Sequence, residues 1–467
     1  VDHDWPEQAL ESAHRQLIDI VAVMLPGAAT PAARTLLRHA RSWGAGDSSV
    51  VGSEVRLSLP FAAMVNASAG HALDFDDNFD PAKAHVSTVL WPTILALAEQ
   101  QRCSGADCLD AYIAALQIQG RIGQGINPVH RQRGWHATAT TGALGAAAAS
   151  ARLLKLDATQ AATALSVATS MAGGFMSQFG SMTKPLHAGL AAKGGIMAAT
   201  LAADGFTAGE HTLDGRTGMN TLMVGPDREQ LAASIEQPQH GQTLRFVTED
   251  IAAPLLILEH KFRVKRFPTC GSAHRSLDAM LNIMAREDFS PAEIARIDVH
   301  APELHLNNLM YHRPQSGLQG KFSVEYPLAC VLLSGACVLD DFSDAAVQRT
   351  SHQQLLKKVH RHPIARPETE TNTTIELTLK DGSVLQETVF MPLGSKVAPF
   401  PTSVYWRKLH NCTAGLLLAD QLAAIEQKLS GFAGLDDAGQ LSAALGVALQ
   451  PTDAGWAQSG FSAVDQS

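Results

Sequence analysis

Charge is scarce in this 467-residue chain: Asp, Glu, Lys and Arg make up 17% of it, against 46% hydrophobic residues. That balance excludes the disordered class and describes a chain that buries a large core. The charges lean negative, to a net −9, so no basic excess exists to neutralise phosphates, and nucleic acid is not an expected partner. Cysteine is sparse too. Cys103, Cys108, Cys270, Cys330, Cys337 and Cys412 include no C-x-x-C pair, which fits reduced, buried thiols and leaves an iron–sulfur cluster without closely spaced ligands. No apolar run reaches the ~18–20 residues a membrane span needs. The richest, Thr138 to Ala151, is mostly Ala, Gly and Thr and ends at Arg152. The opening Val1-Asp2-His3-Asp4 has no signal-like character; the expectation is a soluble cytoplasmic protein with no membrane partner. G-x-S-x-G, Walker and strand-following G-x-G-x-x-G motifs are missing, and Ser181-x-x-Lys184 lacks the companion motifs of acyl-serine enzymes.

What is present is helical periodicity, then a change of character. Apolar residues recur at helical spacing from Pro6 to Leu25, and Thr30-Pro31 reads as the cap of a second helix. Helices are expected over Pro60 to Ala67, from Trp91, over Cys108 to Gly125, Thr138 to Leu154, Asp157 to Met171 behind an Asp157/Gln160 capping box, and His187 to Asp204. Near Lys261 the pattern shifts: Phe262 to Phe267 alternates like a strand, Ser290 to Glu293 reads as a helix cap, Ile297 to His300 as a strand, and Thr373 to Phe390 as a hairpin turning at Asp381-Gly382. Helices resume over Thr413 to Leu429 and Asp437 to Leu449. The expected fold is therefore mainly α: a large discontinuous all-helical domain (1–261 and 401–467) with a smaller α+β domain (262–400) inserted.

The stretch His71 to Pro92 packs Asp74, Asp76, Asp77, Asn78, Asp80 and His85 between apolar helices. Burying so many carboxylates costs several kcal/mol each unless they are paired. Solvated or capping roles account for Asp76, Asp77 and Asp80, whereas Asp74 with His85 makes a candidate acid–base pair. His136 precedes an Ala-rich helix, and Lys184 stands just ahead of another, where a cation adds to the dipole that favours a carboxylate. Lys265, Arg266 and His274 lie in one turn-rich block, and Tyr326 at the edge of a further helix. Any one of these histidines taken alone is more often a core residue; the recurrence of Gly, His or Lys and a helix start is what points to a site. His360-Arg-His362 lacks a third ligand, so no metal is expected.

The ordered blocks DFDDNFDPAKAHVS, GWHATATTGALGAAAA, GSMTKPLHAGLAAKGG, KRFPTCGSAH and GKFSVEYPLA resemble the MmgE/PrpD family, which includes 2-methylcitrate dehydratase, cis-aconitate decarboxylase and iminodisuccinate epimerase. The resemblance spans essentially the whole chain. It implies a helical domain with an α+β lid, a homodimer, a site in the cleft between the domains, and no metal or organic cofactor. Carried over position by position, the site falls on Asp74, His85, His136, Lys184, His274 and Tyr326; beside the resemblance, Asn78, Lys265 and Arg266 are further candidate substrate-binding residues. The implied activity is that of a cofactor-independent lyase on a small di- or tricarboxylate, most like a 2-methylcitrate dehydratase, through an enediolate-like carbanion. Decarboxylation of a cis-aconitate-type substrate and epimerisation of an iminodisuccinate-type one use the same carbanion. A non-catalytic dimer that binds polycarboxylates is the reading from another class. Asn78 stands where Thr or Ser is common, Val86 and Ala137 where Pro is usual.

Overall fold

The computed structural model describes residues 4–452 and 454, except 237, 250, 261 and 366–371. The expected helical unit's two ends, 1–3 and 455–467, lie outside the described residues, as does Lys261. The chain is mainly α, and its apolar residues form two large buried clusters. One joins residues from Ala9 to Val264 with residues from Tyr405 to Leu445; the other runs from Phe267 to Val389. Among the described residues no single helix is long and apolar enough to cross a membrane, and the one bent pair that passes that test by composition, Glu7–Ala28 with Pro31–Trp43, has most of its first helix buried.

The first core is built on three helices, Leu59–Ala72, Ala137–Leu153 and Thr183–Ala203. Their Ala and Gly content allows close crossing. A Cβ on Gly195 would stand 2.5 Å from the backbone nitrogen of Ala147, and one on Gly189 would stand 2.4 Å from the carbonyl oxygen of Met64. Any larger residue there would separate the helices whose ends carry the site.

The second core contains a four-stranded sheet in the order Val359–Ile364, Ile294–Pro302, Thr373–Leu379, Val384–Val389. The first pair is parallel and the others are antiparallel. Ile297 opposite Leu377 and Val299 opposite Ile375 give the sheet its apolar face, which the helices His274–Arg286 and Glu325–Ser334 help to bury. The hairpin and the helix at His274 lie where the sequence put them.

Several local expectations are corrected. The strand expected over Phe262 to Phe267 is two residues long, Phe262–Arg263, paired with Asn78–Phe79, because Lys265 onward turns inward to meet Asp74. Ser290 donates to Glu293 as a cap would, but strand Ile294–Pro302 follows at once instead of a helix. The helix expected from Trp91 begins at Ser87, and the one expected from His187 begins at Thr183. After residue 401 an unforeseen helix, Thr402–Thr413, precedes Ala419–Ser430 and Gly439–Leu445.

Candidate active site

Helix Leu59–Ala72 ends at Leu73, and Asp74 then takes a left-handed backbone, φ 51°. Carbonyls leaving a helix C-terminus lack intrahelical donors and attract cations. Here three consecutive ones each accept from a lysine: Leu73 from Lys321 at 2.8 Å, Asp74 from Lys265 at 2.7 Å and Phe75 from Lys408 at 2.8 Å. Lys321 also donates to the Pro268 carbonyl at 2.9 Å. Lysines from three distant parts of the chain thus fix the backbone that carries the acidic stretch.

The Asp74 carboxylate receives Lys184 at 2.7 Å and Lys265 at 3.0 Å on the same oxygen, Oδ1. Oδ2 is enclosed and has no hydrogen-bond partner among the described residues. Burial pushes this carboxyl up, but the two ammonium groups outweigh it and hold it well below the usual range. Lys184 lies in the first turn of its helix, packed between the rings of Phe179 and Phe322. A desolvated ammonium at a helix N-terminus is a strong site for an anion.

The sequence assigned Asp74 to orient His85. In the structure Asp76 is the nearer carboxylate, although His85 Nδ1 makes no hydrogen bond among the described residues. His85 Nε2 stands 4.0 Å from Asp74, whereas its Nδ1 stands 3.4 Å from Asp76 Oδ2, and the same oxygen takes His71 Nδ1 at 2.7 Å. His71 had no candidate status, although it begins the acidic stretch five residues before Asp76. Its ring is 4.6 Å from that of His85 and stacks at 5.7 Å on that of His136. His136, at the cap position of Ala137–Leu153, meets His187 with Nδ1 atoms 3.0 Å apart. Burial first, and the neighbouring His71 and Lys184 next, hold His136 well below its usual value; burial does the same to His85 despite Asp76, and leaves His187 at about 4. Neutral imidazoles near pH 7 are proton acceptors. Asp76 and Asp80 are not solvated caps: both are buried, and His71 and Arg263 respectively keep them ionised.

A polar cavity of about 80 Å³ gathers these groups. Asp74, Asn78, His85, His136 and Lys184 line it, and Lys265 supports it from behind Asp74. Lys83, Arg131, Arg263 and His305, none of them singled out from sequence, line it as well. Three expected residues do not reach it. Tyr326 is buried in the second core, where its hydroxyl donates to the Asp341 carbonyl and its ring meets Phe342 and His352. Arg266 turns away to Asp278 at 2.9 Å. His274 packs edge-on against Phe267 with Nε2 3.3 Å from the Thr269 carbonyl, and burial takes it down to about 3.

Donor atoms of His71, Asp74, Asp76 and His85 lie within 4.8 Å of one another, as do those of Cys330, Asp341 and His352. In the first group a metal ion would compete with two ammonium groups for Asp74. His362 spends its Nε2 on Asp298 at 2.5 Å.

Comparison with known proteins places the chain in a family. The MmgE/PrpD N-terminal domain matches residues 3–231 and the MmgE/PrpD C-terminal domain residues 267–430. The second match runs past 401 into helices whose apolar residues, among them Leu409 and Ile425, join the first core. A cis-aconitate decarboxylase of Aspergillus terreus is 29% identical over 460 residues, 93% of this chain and 91% of that protein. The Homo sapiens cis-aconitate decarboxylase is 28% identical over 399 residues, 82% and 78% of the two chains. A cis-aconitate decarboxylase-like protein of Aspergillus oryzae is 26% identical over 465 residues, 94% and 93%. With both family domains matched in order along one chain, this protein belongs to the MmgE/PrpD family.

Proposed function

We propose that this protein is a carboxy-lyase for a small unsaturated tricarboxylate of the cis-aconitate type. The lyase class rests on relatives that align over most of both chains. The observation that carries the substrate class is the charge around the cavity: Lys83, Arg131, Lys184 and Arg263 line it, with Asp74 as the carboxylate on its wall. A chain with a net charge of −9 has concentrated cations at one enclosed point, the local field a polyanion needs.

In this reading Lys184 holds the carboxylate that becomes enediolate-like as the bond to the departing carboxylate breaks. The electron pair moves through the alkene toward that carboxylate, carbon dioxide leaves, and one proton is added to carbon. His85, with Asp76 3.4 Å from its Nδ1, or His136, steadied by His187, delivers it. Both rings are neutral in the free site, and an entering polyanion raises their basicity, so substrate binding recruits the proton that the reaction consumes. The site works without a metal or organic cofactor, the chain acts as a cytoplasmic homodimer, and the unit 262–400 serves as a lid.

The sequence reading put 2-methylcitrate-type dehydration first; the named relatives move decarboxylation ahead of it. Dehydration keeps one supporting observation: neutral His85 and His136 rings on the same cavity offer a base for the α-proton. Incubation with cis-aconitate, citrate, 2-methylcitrate and iminodisuccinate, followed by chiral chromatography coupled to mass spectrometry, separates the readings. Loss of 44 Da from cis-aconitate is expected. Loss of water from 2-methylcitrate with cis-aconitate untouched would reverse the order, and no turnover of any of them would leave the binding protein.

A further inference from the structure

We propose that Lys83, Arg131 and His305 form a second carboxylate subsite in this cavity, which takes the substrate's remote carboxylate and selects tricarboxylates over dicarboxylates. The inference rests on the polycarboxylate reading above and adds the residues that make the selection.

Two electrostatic neighbourhoods share the cavity. The charges that weigh most on Asp74 are Lys184, Lys265, His85 and His71, whereas those that weigh most on His305 are Arg275, Arg263, Lys83 and Arg131. The sets have no member in common. The first contains the anion Asp74 with its two ammonium partners. The second is cationic around a neutral imidazole whose Nδ1 is enclosed and has no hydrogen-bond partner among the described residues. Asp80 lies beside this group, engaged by Arg263 through Nη2 and influenced by Lys83 and Arg275 as well, while Arg263 Nε is buried without a partner among the described residues. Lys83, Arg131 and Arg263 on one wall of a partly dry cavity, beside two buried nitrogens with no hydrogen-bond partner among the described residues, favour an occupant with a carboxylate at this end.

Backbone geometry and chain origin agree. Lys83 has φ 51°, and with Asp74 it is one of the few non-glycine residues in the left-handed region. Such strain costs about 1–3 kcal/mol and persists where surrounding structure enforces it, commonly at ligand sites. Both strained residues line this one cavity. Arg131 comes from the short helix Val129–Gln132, and Lys83 from the loop before His85. His305, on Glu303–Asn308, belongs to the second half of the chain. A carboxylate between them would bridge the two sides of the cavity. An Arg presents paired donors that match a carboxylate's two oxygens, and a neutral imidazole adds one more.

Calorimetric binding of two unreactive probes tests this on the full chain: propane-1,2,3-tricarboxylate, and methylsuccinate, which lacks the remote carboxylate. The wild type is expected to bind the tricarboxylate at least ~10-fold more tightly, the scale of one charge-assisted contact. Arg131→Gln and Lys83→Gln should each erase most of that preference while leaving methylsuccinate within about 2-fold, and Lys184→Met should weaken both probes. Thermal unfolding of each variant confirms that it is folded, and Lys83→Gln and Arg131→Gln lie on separate segments, so one serves if the other does not fold. Equal affinity of the wild type for both probes, or variants that weaken both probes alike, would overturn the subsite and leave the polycarboxylate reading standing. No binding of either probe would remove that reading and the subsite with it.

Discussion

Asp74 and Asp77 are three residues apart, both buried, and end in opposite ionisation states. Asp74 turns toward the cavity, where Lys184 and Lys265 hold it charged. Asp77 turns toward the helical core, where its partners are neutral: it accepts from the Ser87 hydroxyl and, at 3.4 Å, the Ser87 amide, and that hydroxyl lies 2.7 Å from the Tyr112 hydroxyl. Burial raises Asp77 to about 8. The same residue type in the same loop therefore serves as an ion on one side and as a neutral hydrogen-bonding group on the other. Burial alone does not make a carboxylate functional; what faces it does.

The sharpest way to break the contrast is to neutralise each member. Asp74→Asn leaves two buried ammonium groups facing an amide and should cost ~3–5 kcal/mol of stability, read by denaturant unfolding. Asp77→Asn replaces an already neutral group and should cost less than about 1 kcal/mol. Equal losses would erase the distinction. His85→Ala should lower turnover by ~10²–10⁴-fold with little change in melting temperature, measured by steady-state kinetics beside calorimetry.

The pH dependence carries the same contrast with opposite signs. The folded pKa of Asp77 lies above its unfolded value, so its contribution is full at low pH and is lost as pH rises toward about 8. The folded pKa of Asp74 lies below, so its contribution is present at neutral pH and is lost in acid. Buried neutral His274 adds to the acid loss below its unfolded pKa of about 6.5. Unfolding free energies across pH should accordingly fall on both sides of a maximum, and Asp77→Asn should flatten the alkaline side alone. The smallest effect is expected from Tyr326→Phe: with its hydroxyl spent on the Asp341 carbonyl, stability should fall by ~1 kcal/mol and kcat/KM should stay within about 3-fold. A loss of kcat on the scale of His85→Ala would place Tyr326 back in the reaction.

Much of this was legible in the chain. Asp74, Asn78, His85, His136 and Lys184 were marked by polar residues beside helix starts and ends, and those ends do meet in one cavity. The helices and the hairpin followed from periodicity and from Asp381-Gly382. The pairing was not legible. Asp74 and Asp76 flank a single residue, and beside the left-handed turn at Asp74 the lysines take the first and His71 the second. His71 lies inside a helix without the turn residues that drew attention elsewhere, yet its five-residue distance from Asp76 was available as a signal. His305, in Pro302-Glu303-Leu304-His305, carries no local signature at all; its place comes from the packing of the second core. Tyr326 and His274 stand beside helix starts and in the family pattern alike, and neither signal tells which way a side chain faces once the second core packs.

The most direct test follows carbon dioxide release from carboxyl-labelled cis-aconitate by the wild type and by Lys184→Met. Stoichiometric release by the wild type, slowed by ~10²–10³-fold in the variant, is the predicted result. Equal rates in the two proteins, or product formed by the wild type with every labelled carboxylate retained, would contradict it.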